Sequence, residues 1–155
     1  MLTFNKLGDL YVEIENYYAK REFQARTKGY NRIELDYNLK RKNNDQAYFL
    51  FMFTRLEDRI IQITDQLIKN KCESTSNWKK RRSWEVLNIQ REKKTIHFMN
   101  RVSLLIENNN NLYQLLASYH KQRNIIAHGG NFTIPINMVH VIANMKTLHK
   151  SLNYN

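Results

Sequence analysis

The chain has 155 residues, which is enough for one domain with a single hydrophobic core. Its 25 basic and 14 acidic residues give a formal net charge of +11, which favours a polyanionic partner such as RNA, DNA or an anionic membrane. Hydrophobic residues make up 42% of the chain, so disorder of the whole chain is not expected. A basic surface without a dedicated ligand is the alternative interpretation of the charge.

The composition and the motifs also limit which cellular compartment and which cofactors are expected. Cys72 is the lone cysteine, which excludes an internal disulfide framework and favours a reducing cytoplasm. No apolar run reaches the roughly 18 residues that span a bilayer, and the first residues lack the order of a signal peptide. No Cys-x-x-Cys pair, His-Glu-x-x-His motif or glycine-rich phosphate loop is present. We therefore expect a soluble cytoplasmic protein with no membrane association, no metal and no cofactor.

One proline and four glycines interrupt the chain, and this scarcity predicts long helices. The first helix is predicted over residues 2–28, ending near Gly29. Residues 30–44 are polar and basic, and they predict a connection between helices. An alternation at Ile33, Leu35, Tyr37 and Leu39 would suit a short strand, but no second strand is evident to pair with it.

The second half of the pattern completes a helical bundle. Residues 45–70 predict a helix, residues 72–77 a loop with an N-cap signal, and residues 83–107 a helix that breaks around Arg91 to Lys94. After a turn at residues 108–110 comes the helix of the motif described below, and Pro135 is predicted in the first turn of a last helix. We predict an all-α fold, an antiparallel bundle of about four to five helices, in one domain over residues 1–155.

A dense basic run follows the predicted loop. Its members are Lys79, Lys80, Arg81 and Arg82, and they lie between Trp78 and Trp84. Cations beside aromatic rings suit RNA, because the cations contact phosphates while an indole stacks on a base. These four residues are therefore candidate RNA-binding residues. The alternative is a solvated start of a helix whose tryptophans face the core.

Residues 122–130 form the stretch with the most chemistry. Arg123, Asn124 and His128 fall within six residues, and Gly129 and Gly130 follow directly. Four upstream apolar residues at helical spacing predict an amphipathic helix: Leu112, Leu115, Leu116 and Tyr119. Because glycine readily adopts the left-handed conformation that ends a helix, we expect Arg123 and His128 at an exposed helix end.

The spacing of the motif residues favours a homodimer. Five positions correspond to a rotation of roughly 140° about a helix, so Arg123 and His128 do not share a face. Asn124 and His128 are four positions apart, share a face and can hydrogen-bond. One regular helix cannot aim both Arg123 and His128 at a small target unless its end unwinds. Two copies about a two-fold axis would bring two arginines and two histidines together.

An arginine and a histidine suffice, without a metal, to cleave RNA. The nucleophile is the ribose 2′-hydroxyl, and a histidine can take its proton or protonate the 5′-oxygen leaving group. An arginine can clamp the phosphate and offset its growing charge, while Asn124 can orient either group. The products would be a 2′,3′-cyclic phosphate and a 5′-hydroxyl, and DNA would be inert. The other four histidines lie on ordinary helical stretches and are expected at the surface or its boundary.

The sequence from Arg123 to Gly130, RNIIAHGG, resembles the Arg-x(4–6)-His signature of HEPN domains, in which Asn after Arg and Gly after His are common. The similarity extends to the predicted helical fold and covers essentially the whole chain. It implies a metal-independent endoribonuclease of the toxin–antitoxin, phage-defence or CRISPR kind, with a composite site in a homodimer. Arg123 and His128 match the two catalytic residues and Asn124 the polar residue between them. An antitoxin or another regulatory partner is also implied.

One departure from the family and two other interpretations stay open. HEPN toxins that are silenced by nucleotidyltransferase antitoxins carry a tyrosine where this chain has Gly130, which puts such regulation in doubt. A non-catalytic HEPN module would bind RNA or a partner protein, with Arg123 and His128 only hydrogen-bonding at the end of the bundle. A helical DNA- or partner-binding protein would carry the motif by accident.

Overall fold

The structure is a computed structural model, and it describes residues 4–152. These residues form six helices and no strand, which confirms the predicted all-α helical bundle. The helices are α1 (Phe4–Thr27), α2 (Asn31–Ser74), α3 (Trp78–Glu92), α4 (Phe98–Ser103), α5 (Asn111–Ala127) and α6 (Met138–Ser151). Among these residues, none of the helices is long and apolar enough to cross a membrane.

The chain divides into two compact units. The first contains the N-terminal part up to Phe53 together with Lys121–Lys146, and the second contains Thr54–His120 together with the residues from Thr147 onward. The motif belongs to the first unit and the basic run to the second. The single domain over residues 1–155 stays a prediction.

Two stripes of apolar residues at three-to-four spacing, one on α2 and one along α6 to Leu152, are buried. Every member of the α2 stripe is at most 8% exposed: Phe49, Met52, Phe53, Leu56, Ile60, Ile63 and Leu67. The α6 stripe is buried to a similar extent: Met138, Val141, Ile142, Met145, Leu148 and Leu152. Burying one such side chain contributes about 1.5–3 kcal/mol, so these stripes supply much of the driving force for folding.

The prediction that residues 30–44 connect helices is wrong, because α2 begins at Asn31 and continues through the whole segment. The apolar residues whose alternation would suit a strand are not part of the core: Ile33, Leu35 and Leu39 are 47%, 70% and 56% exposed. The polar residues make the contact with α1 instead. Arg41 donates to Glu15 Oε1 at 2.7 Å and to Glu22 Oε2 at 2.7 Å, and Glu22 is only 5% exposed. The Arg41 hydrogen bond is the main reason that the pKa of Glu22 is lowered.

The other helix ends follow local capping. The predicted loop over 72–77 is shorter than expected, because Cys72 and Ser74 still belong to α2. The N-cap signal is confirmed, since the Asn77 side chain accepts from the Lys80 N–H at 3.2 Å. The break in the predicted 83–107 helix is also confirmed, with α3 ending at Glu92.

The expected place of Pro135 in the last helix is wrong. Helix α6 begins at Met138, and the Asn137 side chain accepts from the N–H groups of Val139 and His140 at 3.0 and 3.2 Å. An asparagine N-cap satisfies the first free N–H groups of a helix, so it sets the start after the proline rather than at it.

Candidate functional site

The motif lies at the C-terminal end of α5, and two glycines close that end. Gly129 has φ +82°, and its N–H donates to Ile126 O at 2.9 Å. The Gly130 N–H donates to Ile125 O at 2.9 Å. This pair of bonds is the Schellman arrangement, which makes His128 the residue that caps the helix. The predicted glycine stop is therefore confirmed.

Gly130 is needed for a second reason, which the sequence pattern did not indicate. A Cβ atom at this position would lie 2.7 Å from Ile125 Cγ2 and 2.9 Å from Ile125 O. Both contacts are closer than real Cβ atoms come, and one of the atoms belongs to the backbone. A tyrosine here, as in the HEPN toxins with nucleotidyltransferase antitoxins, would require the end of α5 to change.

Arg123 and Asn124 are in contact with each other. Both are half-buried, and Arg123 Nη1 donates to Asn124 Oδ1 at 3.2 Å. A guanidinium is planar and carries five N–H donors, a geometry that also suits a phosphate group. The carbonyl of Asn124 also accepts the His128 N–H at 3.2 Å. Asn124 thus contacts both other motif residues, through its side chain to Arg123 and through its backbone to His128.

His128 is exposed, whereas Arg123 is half-buried. Because α5 continues to Ala127 and the His128 N–H still bonds four residues back, the helix does not unwind before the histidine. The rotation of roughly 140° between the two positions therefore applies, and within one chain the side chains leave the helix on different sides. The arginine on one side of α5 is half-buried, and the histidine on the other side is exposed.

Gln122 has a structural role that the sequence analysis missed, although it stands at the head of the motif. It is 2% exposed, its Nε2 donates to Thr133 Oγ1 at 2.8 Å, and the Thr133 N–H donates to its Oε1 at 3.0 Å. A buried amide needs partners for both ends, and Thr133 supplies both. These bonds hold the segment that follows the motif against α5.

Two further contacts hold the same segment against α2. Gln46 Nε2 donates to Asn131 Oδ1 at 2.8 Å. The ring of Phe132 packs edge-on against Phe49, with centroids 5.3 Å apart. The chain that leaves the motif is thus held by three neighbouring residues, Asn131, Phe132 and Thr133. No signal in the sequence pairs Asn131 and Phe132 with α2, because these two contacts span more than eighty positions.

The basic run forms the first turn of α3. All four cations are exposed, and Arg81 and Arg82 lie 3.5 and 3.4 Å from the carboxylate of Glu85. Trp78 is 66% exposed and has Lys79 Nζ 5.9 Å from its ring centroid, so it does not face a core. Trp84 is half-buried, and no residue of α3 is buried. The run and Trp78 are accessible to a ligand.

Within residues 4–152, no group of three or more His, Cys, Asp or Glu side chains is placed to hold a metal ion. No protein-family profile, curated protein or solved structure matches the chain. The resemblance to HEPN domains therefore rests on the motif and on the helical pattern.

Proposed function

We propose that the chain is a metal-independent endoribonuclease that acts as a homodimer, with Arg123 and His128 as catalytic residues. The observation that carries the proposal is the arrangement at the end of α5: an exposed histidine caps the helix, and a half-buried arginine lies five residues earlier with its guanidinium against Asn124. An imidazole open to solvent can exchange protons, and an arginine that is partly desolvated binds a phosphate more strongly than an exposed one.

The reaction is a transesterification within the RNA. The 2′-oxygen attacks the adjacent phosphorus, the bond from phosphorus to the 5′-oxygen breaks, and the products are a 2′,3′-cyclic phosphate and a 5′-hydroxyl. One His128 takes the proton of the 2′-hydroxyl or gives a proton to the 5′-oxygen. Arg123 binds the non-bridging phosphate oxygens, on which charge grows in the transition state. Asn124 orients the guanidinium through its hydrogen bond.

The placement of the two residues supports a homodimer. Since Arg123 and His128 leave α5 on different sides, one scissile phosphate is best served by the arginine of one copy and the histidine of the other. A two-fold axis near the end of α5 would bring two arginines and two histidines together, so that each dimer holds two such arginine–histidine pairs.

The basic run would bind parts of the RNA other than the phosphate at which cleavage occurs. Lys79, Lys80, Arg81 and Arg82 are exposed beside Trp78, which suits contacts to phosphates and stacking on a base. Cys72 as the lone cysteine suits a reducing cytoplasm, where RNA is available. We place the protein among toxin or phage-defence effectors, with an antitoxin or other regulator as a partner.

A second candidate is a non-catalytic module that binds RNA or a partner protein. The bond from Arg123 to Asn124 favours it, because a half-buried guanidinium with a partner in its own helix also fits a purely structural role. In that case His128 would contribute to binding and nothing would be cleaved.

A mixing experiment separates these functions and tests the dimer. Arg123→Ala and His128→Ala are purified separately and then combined, after a step that lets subunits exchange, with a fluorescent RNA. We expect each variant alone to be inactive and the mixture to regain a substantial part of the activity, because mixed dimers keep one arginine and one histidine. His140→Ala, at another exposed histidine of the same unit, serves as the matched control and should cleave like the wild type. Loss of activity that mixing does not restore would contradict the composite site, and full activity of either variant would contradict the assignment of its residue.

A further inference from the structure

A cluster of aromatic rings and cations lies on the helical hairpin formed by α1 and the start of α2. Its five members, here called the tyrosine platform, are Tyr17, Tyr18, Arg21, Tyr37 and Lys40. The ring centroids of Tyr17 and Tyr18 are 5.7 Å apart, and those of Tyr18 and Tyr37 are 6.2 Å apart. The three rings therefore form one continuous aromatic surface.

Each end of this surface carries a cation. The Arg21 guanidinium carbon lies 5.6 Å from the Tyr17 ring centroid, and Lys40 Nζ lies 4.7 Å from the Tyr37 ring centroid. Hydrogen bonding by Arg21 lowers the pKa of Tyr17. Lys40 also pairs with Asp36 Oδ2 at 2.7 Å. Rings with cations beside them are the combination that binds single-stranded nucleic acid, because a base stacks on the ring while its phosphate meets the cation.

Ion pairs also join the two helices of the hairpin. Arg41 pairs with Glu15 and Glu22, whereas Tyr17 is 52% exposed and Tyr37 is half-buried. The exposed Tyr17 ring and the half-buried rings of Tyr18 and Tyr37 are therefore open to a ligand on their solvent side.

The charge around the platform indicates an anionic partner. Residues 14–42 contain eight basic and four acidic residues, a net charge of +4. The four carboxylates all pair with cations of the same hairpin: Glu15 and Glu22 with Arg41, Glu22 and Glu34 with Arg26, and Asp36 with Lys40. Within the described part of the chain, five hairpin cations have no carboxylate partner: Lys20, Arg21, Lys28, Arg32 and Lys42. The carboxylates of the hairpin are neutralised by its own cations, and the remaining cations make the surface around the rings positive.

We propose that the tyrosine platform binds single-stranded RNA, with one or two bases stacked on Tyr17 and Tyr37 and the flanking phosphates on Arg21 and Lys40. This surface would add a substrate-binding site to the proposed ribonuclease, in the same unit as the motif. The inference rests on the proposed function only in taking RNA, and not DNA, as the natural ligand. Duplex RNA has its bases already stacked and cannot use the rings, so the platform selects unpaired segments.

Binding is measured in the His128→Ala background, so that cleavage cannot alter the probe. A fluorescent oligoadenylate is titrated against that protein and against the same protein carrying Tyr17→Leu with Tyr37→Leu. We expect the double substitution to weaken binding about 5- to 160-fold, the range for losing one stacked base. Arg21→Gln should also weaken binding, and it should reduce the slope of log affinity against log salt by about 0.7.

Three controls make the result specific. Phe23→Leu removes an aromatic side chain of α1 that is 63% exposed but lies outside the platform, and it should bind like the parent. Lys20→Gln removes a neighbouring exposed cation and should weaken binding less than Arg21→Gln. An abasic oligonucleotide with the same number of phosphates should bind the parent and the tyrosine variant equally. Thermal unfolding followed by circular dichroism confirms that each variant is folded.

The failure of this proposal differs from the failure of the proposed function. Unchanged oligoadenylate binding by the tyrosine variant, equal binding of the oligoadenylate and abasic strands to the parent, or no binding to the parent would overturn the platform, whether or not the wild type cleaves RNA. Loss of binding in the tyrosine variant alone supports the platform even if the wild type cleaves nothing. In that outcome the chain is an RNA-binding module.

Discussion

Gln122 and Thr133 are joined by two hydrogen bonds, one to each end of the buried amide, at 2.8 and 3.0 Å. The pair fixes the segment after the motif relative to α5, and so it fixes the surroundings of His128. The two residues are eleven positions apart along the chain, and the glycine turn lies between them.

The first prediction concerns this pair. Gln122→Leu keeps the volume and loses both bonds, so the free energy of unfolding should fall by about 1–2 kcal/mol. Cleavage should fall as well, because the segment beside His128 is released. Urea unfolding and a cleavage assay check the two effects. Gln114→Leu is the control on the same helix, since Gln114 is exposed and makes one bond, to Asn108 O. Equal stability of Gln122→Leu and wild type would show that the pair does not hold the segment.

A second prediction distinguishes the two glycines of the turn. In Gly129→Ala the new Cβ lies in open space, but the residue must keep φ +82°. The backbone strain should lower the free energy of unfolding by about 1–2 kcal/mol. Gly130→Ala places a Cβ 2.7 Å from Ile125 Cγ2 and must displace the end of α5. We expect Gly129→Asn to be milder than Gly129→Ala, because asparagine tolerates the left-handed region, whereas Gly130→Asn should be no milder than Gly130→Ala. Thermal unfolding of the four variants decides this, and the same order at both positions would contradict it.

A third prediction concerns a buried charge in the second unit. Arg101 is 6% exposed and donates to Asp65 Oδ1 at 2.6 Å and to Thr64 Oγ1 at 2.8 Å. Asp65→Asn leaves the guanidinium buried without its counter-charge, and it should destabilise the protein by about 1–3 kcal/mol. Asp36→Asn breaks the exposed pair with Lys40 and should have no resolvable effect on urea unfolding. Similar effects of the two substitutions would mean that the Arg101 pair is screened like a surface pair.

A fourth prediction is that His149 makes the stability of the protein depend on pH. Burial, with a smaller effect of Arg59, lowers the pKa of His149 below the ordinary value of about 6.5. The unfolded chain therefore binds a proton at a higher pH than the folded chain, and the free energy of unfolding falls as the pH drops through about 6.5. His149→Gln should lose less stability than the wild type between about pH 7.5 and pH 5. His140→Gln, at an exposed histidine, is the control and should keep the wild-type pH dependence of stability. If His149→Gln also kept that pH dependence, His149 would not be the source of the effect.

The apolar periodicity was sufficient to predict the helices that have a buried stripe. Helices α2 and α6 carry their large apolar residues at three-to-four spacing, and all the predicted members are buried. Residues 30–44 have no such stripe, and Arg41 of this segment contacts α1 through an ion pair with Glu22. Hydrophobic patterning cannot detect a helix that packs through ion pairs, so that segment was assigned wrongly.

The candidate site was predictable only in part, for similar reasons. The positions of Arg123, Asn124 and His128 at a glycine-stopped helix end follow from local sequence, and the structure confirms this placement. The contacts of Gln122 with Thr133 and of Gln46 with Asn131 depend on tertiary packing, for which the sequence contains no signal. The tyrosine platform was hidden as well, since Tyr17 and Tyr18 fit an ordinary half-buried face until Tyr37 is placed beside them.

The most direct test of the ribonuclease is a comparison of the wild type with His128→Ala on mixed RNA in excess EDTA, followed by analysis of the product ends. We predict cleavage by the wild type alone, leaving 2′,3′-cyclic phosphates and 5′-hydroxyls, because the reaction uses the 2′-hydroxyl and no metal. Cleavage by both proteins would remove His128 from the site, and intact RNA with both would contradict the proposed activity and leave a binding role.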